Sequence, residues 1–243
     1  MARKYYYTNF DSIGSITQTD GTLASGTAGE KNLVDIGGIP WELFNIGTNT
    51  VFGPVIASTG VDAVMTDTNG NGCVFTPYAN TINSPLTFTI GTHAFYAKLK
   101  VKVTDWSGVR LMVGFHGGAS GTMQAHQTVG AFGDYTDLAL IGNYAGGAVD
   151  VYTQQCINDT APTDTDTTIN LTDADVATFQ VNVSAAGIVT YSMLIGSTAQ
   201  TLTIPAVQTF DSTDNVNPMI LMVNHTETAT STLFQEFQCG LSA

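Results

Sequence analysis

The letters Asp67-Thr68-Asn69-Gly70-Asn71-Gly72 place side-chain oxygens at alternate positions ahead of a glycine, which is how a D-x-[DN]-x-[DN]-G calcium loop opens. Asp67, Asn69 and Asn71 are therefore the candidate calcium ligands, and calcium is the single cofactor the sequence suggests. The pattern stops there. Tyr78 stands at position twelve, where such a loop needs a bidentate Glu, and no helical flanks are visible. A turn that uses Asn and Gly for positive φ accounts for the same letters.

Carboxylates recur further along. Asp134 and Asp137 bracket a strand entrance, and Asp164, Asp166, Asp173 and Asp175 make an acidic stretch. Paired carboxylates run glycoside hydrolysis when they flank a bond at a defined separation. A string such as E-x-D-x-x-E along one strand would supply them, but the four Glu (Glu30, Glu42, Glu227 and Glu236) are too scattered to build it. His93, His116, His126 and His225 are equally dispersed, Gly118-Ala119-Ser120-Gly121-Thr122 misses the G-x-S-x-G elbow by one residue, and there is no phosphate-binding Gly-Lys-Ser/Thr. The expectation is a protein without catalytic residues.

Cations are concentrated in one place. Tyr96, Lys98, Lys100 and Lys102 alternate along a strand opposite Phe95, Ala97, Leu99, Val101 and Val103. The stripe reads either as a solvated strand face or as a docking face for an acidic partner surface, such as the Asp-rich half of another copy. The first 110 residues hold all seven cations against eight acids, a net charge of −1; the remaining 133 hold none against twelve acids, −12. Such a field repels phosphates, so nucleic acid and anionic membranes are not expected partners.

The elements that position these groups are short strands. Only 11% of the 243 residues are charged, 43% are hydrophobic and 25 are glycine, a composition suited to many strands and tight turns. Phe179, Val181 and Val183 alternate with polar residues, Gly187 turns the chain, and Val189, Tyr191 and Met193 resume the alternation, predicting a hairpin. Met219-Ile220-Leu221-Met222-Val223 is apolar on both faces and predicts a strand covered on each side. Thr201–Ile204 predicts another strand, 156–175 a long acidic connection, and Leu171–Ala177 a short helix. The fold class expected is all-β, a two-sheet antiparallel jelly-roll sandwich over residues 56–243, with residues 1–55 forming an N-terminal arm and wrapped loops. In that arm Tyr5, Tyr6, Tyr7, Phe10, Trp41 and Phe44 offer aromatic area that would anchor on this chain's core or a neighbour's. Cys73, Cys156 and Cys239 are too widely spaced for a zinc site and read as small buried residues. No stretch reaches transmembrane length, and a soluble protein made in a cytosol is expected.

Phe95-Tyr96-Ala97-Lys98-Leu99-Lys100-Val101, Val113-Gly114-Phe115, Asp134-Tyr135-Thr136-Asp137, Gly142-Asn143-Tyr144, the turn at Ala186-Gly187 and the closing Phe234-Gln235-Glu236-Phe237 together resemble the concanavalin A-like (laminin-G-like) jelly roll. More narrowly, the stretch from Phe95 to Leu241 is similar to structural proteins of tailed bacteriophage particles. The resemblance implies a non-enzymatic virion component, a capsid decoration or cement protein assembled in the host cytoplasm and placed on the virion surface. Its partners would be the major capsid protein or other virion proteins, and it would be a homo-oligomer. The same family also implies an alternative, a lectin-like module that binds a surface glycan. Asp134, Tyr135, Asp137, Asn143 and Tyr144 would then supply an aromatic platform with acid and amide groups beside it.

Overall fold

A computed structural model describes residues 5–9, 16–20, 31–36, 40–46, 52–57, 59–65, 70–80, 84–117, 135–144, 149–225 and 230–242. In chain order the strands are β1 (Tyr5–Asn9), β2 (Ile16–Asp20), β3 (Lys31–Ile36), β4 (Pro40–Ile46), β5 (Phe52–Ala57), β6 (Gly60–Met65), β7 (Gly72–Asn80), β8 (Ser84–Pro85), β9 (Phe88–Thr89) and β10 (Phe95–Val103). They continue as β11 (Val109–Gly117), β12 (Asp137–Asn143), β13 (Asp150–Cys156), β14 (Thr163–Asn170), β15 (Val176–Val183), β16 (Val189–Ile195), β17 (Thr198–Ala199), β18 (Asn215–Asn224) and β19 (Thr232–Leu241).

These strands form two antiparallel sheets. The first runs β17-β16-β15-β10-β19-β6-β5, with β1 also paired to β19; the second runs β14-β13-β12-β11-β18-β7-β4-β3-β2, with β8 on β7 and β9 on β18. The long excursions between neighbours, such as β10 beside β19 and β11 beside β18, are what make the sandwich a jelly roll rather than a chain of hairpins.

Side-chain alternation decides what enters the core. In β10 the residues Phe95, Ala97, Leu99, Val101 and Val103 are buried, while Tyr96 and the three lysines between them stay half-exposed. From the second sheet Leu111, Val113, Phe115, Ile220 and Phe75 meet them, so the main core lies between the sheets. The second sheet is also apolar on its outer face. There Phe44, Val74, Met112, Leu140, Met219 and Leu221 form a separate buried cluster. This second cluster explains why the Met219–Val223 run is apolar on both sides, as the sequence predicted for a covered central strand.

Three local expectations are corrected. Leu171–Ala177 is not a helix: the Asp175 carboxylate accepts from Thr172 N at 2.8 Å and Ala174 is left-handed (φ +65°), which closes a turn instead. The one helical turn among the described residues is a 3-10 turn at Trp106–Gly108, capped by Asp105, whose carboxylate accepts from Ser107 N and Gly108 N. The acidic stretch after Cys156 contains β14, because alternate threonines and aspartates suit the exposed edge of a sheet. Thr201–Ile204 is not a strand; the strand in this stretch is the short β17, Thr198–Ala199, paired with β16. The three cysteines are free and buried, as expected.

Candidate functional site

The strand β12 organises both ends of the second sheet. At its N-terminal end Thr136 and Asp137 leave a turn, and three elements converge on them. The first is the turn after β13, where Asn158 (φ +52°) and Asp159 (φ +59°) are both left-handed. Asp159 N donates to the Thr136 carbonyl at 2.8 Å, and Asn158 N donates to the Asp137 carboxylate at 3.4 Å. The second is the turn Asp211–Asp214, with Thr213 at φ +83°; here Asn158 Nδ2 donates to Asp211 Oδ2 at 2.8 Å. Buried Gln208 is the third, donating from Nε2 to the carbonyls of Leu138 (2.8 Å) and Cys156 (3.1 Å), which ties the 205–210 segment to the ends of β12 and β13.

Consecutive left-handed non-glycine residues are strained, and Asn and Asp bear that conformation best because their short side chains bond locally. Their effect here is to hold an exposed amide and an exposed carboxylate side by side. Behind them Asp137 is buried. Its burial pushes the carboxyl up from the ordinary range, and the charges of Asp214 and Asp211 push in the same direction, while bonds from Thr136 and Asn158 oppose them. Asp214 is partly buried, and its Oδ2 has no hydrogen-bond partner among the described residues.

On β11, in register with Leu138, His116 has its ring 5.3 Å from that of Tyr135 in an edge-to-face arrangement. Burial pushes the His116 imidazole down to about 4. A depressed imidazole contributes stability that is complete above pH 6.5 and is lost as pH falls through about 4. Over that window the loss amounts to about 3 kcal/mol. The raised Asp137 works the other way, contributing below its ordinary pKa and losing that contribution as pH rises through its raised value. Equilibrium urea unfolding between pH 7 and 4 is expected to show a steep acid loss in the wild type and a shallower one in His116→Phe. Parallel profiles would contradict the assignment.

The remaining expected site residues lie elsewhere. Asn143, six residues from Asp137, and Tyr144, just after it, sit at the far end of β12, which in a strand is about 20 Å away. Asn143 is buried, with Nδ2 donating to the Trp106 carbonyl, and the Arg110 guanidinium lies over the Tyr144 ring at 5.8 Å. The five residues expected to form one glycan platform are therefore divided. Tyr135 and Asp137 stand at one end, Asn143 and Tyr144 at the other, and Asp134 lies outside the described residues, as do Phe10, Asp67 and Asn69. Asn71 is buried, and the turn holding it is pinned to β18 by backbone bonds from Gly70 N to the Asn224 carbonyl (2.9 Å) and from Asn224 N to the Asn71 carbonyl (2.8 Å).

Tyr5, Tyr6 and Tyr7 are in β1, in register with Gly240, Cys239 and Gln238. Trp41 and Phe44 are buried within this chain, Trp41 in the main core against Phe237 (5.1 Å) and Phe44 in the outer cluster. Lys98 is paired with Glu236 at 2.8 Å, and Lys100 and Lys102 are half-exposed on the same face. Among the described residues no three His, Cys, Asp or Glu side chains converge closely enough to hold a metal ion. Asn158, Asp211 and Asp214 are the site residues that sequence reasoning missed.

No family model matches the sequence, and no curated protein matches it. Solved structures do share its architecture. The carbohydrate recognition domain of Emp47p aligns with a TM-score of 0.54 at 12% identity, covering 84% of this chain and 89% of that one. A legume lectin-like domain from Entamoeba histolytica aligns at 0.53 and 8% identity, covering 83% and 90%. The exoplasmic/lumenal domain of VIP36, solved in a Ca2+/Man3GlcNAc-bound form, aligns at 0.52 and 8% identity, covering 84% and 83%. The fold is thus a lectin-like jelly-roll sandwich of the concanavalin A type. The expected virion role draws no support from these three structures.

Proposed function

We propose that this chain is a glycan-binding module that engages sugar hydroxyls at the Asn158–Asp211 end of the sandwich, without chemistry on the sugar. The observation that carries the reading is the exposed amide–carboxylate pair at 2.8 Å, held by two left-handed turns in front of Asp137 and Asp214. A carboxylate accepts from two neighbouring hydroxyls while an amide both donates and accepts, which is the polar complement of a vicinal diol. Sharing its fold with carbohydrate recognition domains supports the same class of ligand. Capsid decoration, the role first expected, has no observation of its own in its favour.

A glycan array probed with the full chain, in millimolar calcium and again in EDTA, tests the reading. Binding to a subset of glycans is expected, with affinity reduced about tenfold or more in Asp211→Ala, because a charge-assisted bond is worth about 1.5–3 kcal/mol. A wild type that binds nothing under either condition, or an Asp211→Ala variant that binds as well as the wild type, overturns it.

A further inference from the structure

The outer face of the first sheet is the polar counterpart of its buried one. Its central strand, β10, presents Tyr96, Lys98, Lys100 and Lys102, flanked by Gln180 and Asn182 of β15 and by Glu236 and Gln238 of β19. Lys98 is neutralised by Glu236. Asp62 of β6 has its carboxylate occupied by the Ser231 hydroxyl (2.8 Å) and Thr232 N (3.0 Å), and Asp175, next to the register partner of Lys102, accepts from Thr172 N (2.8 Å). Lys100 and Lys102 are left with no ion pair or hydrogen bond among the described residues, two residues apart and so about 6.8 Å from one another along the strand.

The opposite side of the sandwich carries the matching charges. At the edge of the second sheet Asp164 and Asp166 are also two residues apart on β14, exposed, and paired in register with Gln154 and Tyr152 of β13. Asp164 accepts from Gln154 Nε2 (2.7 Å) and Asp166 from Thr168 N (2.7 Å), so both carboxylates are fixed in place with acceptor capacity to spare. Tyr152, half-buried, stands opposite Asp166 and two residues from Asp150 on β13, and its hydroxyl is pushed up by burial and then by the charges of Asp166, Asp150 and Asp164. A lysine reaching this edge would find an aromatic face together with fixed carboxylates.

We infer that the lysine face of the first sheet docks the β14 edge of a second copy of this chain, Lys100 and Lys102 facing Asp164 and Asp166. Two strand-spaced cations meet two strand-spaced anions, and among the described residues of a chain carrying −13 the β10 stripe is where positive charge gathers to meet its own acidic half. Because the two surfaces are different and lie on opposite sheets, the contact is heterologous: each copy uses its lysine face on one neighbour and its acidic edge on another, giving a ring or a filament rather than a two-fold dimer.

Sedimentation velocity of the full chain tests this. At low ionic strength (about 20 mM) the wild type is expected to associate with increasing concentration, and at about 0.5 M salt to dissociate, since exposed ion pairs are screened. Lys100→Glu/Lys102→Glu and Asp164→Lys/Asp166→Lys, each checked for native circular dichroism, are each expected to associate roughly tenfold or more weakly than the wild type. Mixed together they are expected to co-assemble, because the reversed stripe of one meets the reversed edge of the other. A wild type that stays monomeric at low salt overturns the inference, as does association insensitive to salt or a mixture that remains dissociated.

Discussion

Alanine at Phe95 is expected to destabilise the protein by about 3–5 kcal/mol, the usual cost of emptying a large aromatic site that cannot collapse. Phe95 is fully buried at the start of β10, in the first sheet. Its ring stacks on Phe88 of β9 (4.8 Å, 13°) and meets Phe115 of β11 edge-on (5.0 Å, 80°), and Phe88 meets Phe115 edge-on in turn (6.0 Å). One ring from the first sheet is thus clasped by two from the strands of the second. Aromatic pairs add about 0.5–1.5 kcal/mol beyond area burial, so a Phe95→Leu variant, which keeps most of the volume, should lose less than Phe95→Ala. The urea midpoint reads both. Equal losses for leucine and alanine would show that packing volume is not what Phe95 contributes.

A methyl group at Gly142 is expected to cost about 3 kcal/mol, far more than its size suggests. Gly142 is the next-to-last residue of β12, opposite Met112 of β11, at φ +155°. An added Cβ would stand 2.0 Å from the Leu111 carbonyl oxygen and 2.8 Å from the Met112 Cα. Both are backbone atoms of the paired strand, so no side chain can rotate away and the ladder itself must move. Gly196 supplies the control: it is also at positive φ (+59°), but nothing lies within 4 Å of its Cβ position. Gly196→Ala should therefore lose only about 1–2 kcal/mol, the price of the left-handed backbone alone. Similar midpoints for the two alanine variants would contradict the close approach of β11 and β12.

The parts of this fold legible in the sequence are those where one strand face is buried and the other is wet. The β10 alternation and the β15–β16 hairpin around Gly187 follow from period two, and the Met219–Val223 run announces a strand covered on both faces. The edge strand β14 was hidden because its letters, Thr-Asp-Thr-Asp-Thr-Thr-Ile-Asn, carry the alternation in polarity too weak to register as hydrophobic periodicity. Leu171–Ala177 misled because Asp and Thr serve equally well as helix caps and as turn formers, and the Asp175 carboxylate chose the turn.

The candidate site was half legible. Asp137 was picked out as a carboxylate at a strand entrance, but its companions Asn158, Asp211 and Asp214 lie 21, 74 and 77 positions away, Asn158 brought in by the β12–β13 pairing and the two aspartates by the turn before β18, placements that a linear reading does not contain. Their one local signal is the turn chemistry of Asn158-Asp159 and of Asp211-Ser212-Thr213-Asp214, which marks left-handed backbone without saying what it faces. Asn143 and Tyr144 misled in the opposite sense: six and seven positions from Asp137 looks close in sequence but is the whole length of β12, about 20 Å.

The most direct test of the central claim is the map of backbone amide shifts in the 15N-labelled full chain as a bound glycan from the array is titrated in. The amide–carboxylate site predicts that the shifts concentrate at Asn158, Asp159 and Asp211–Asp214 and vanish in Asp211→Ala. Shifts centred instead on Tyr144 and Arg110 at the far end of β12, or no shifts at saturating glycan, would contradict it.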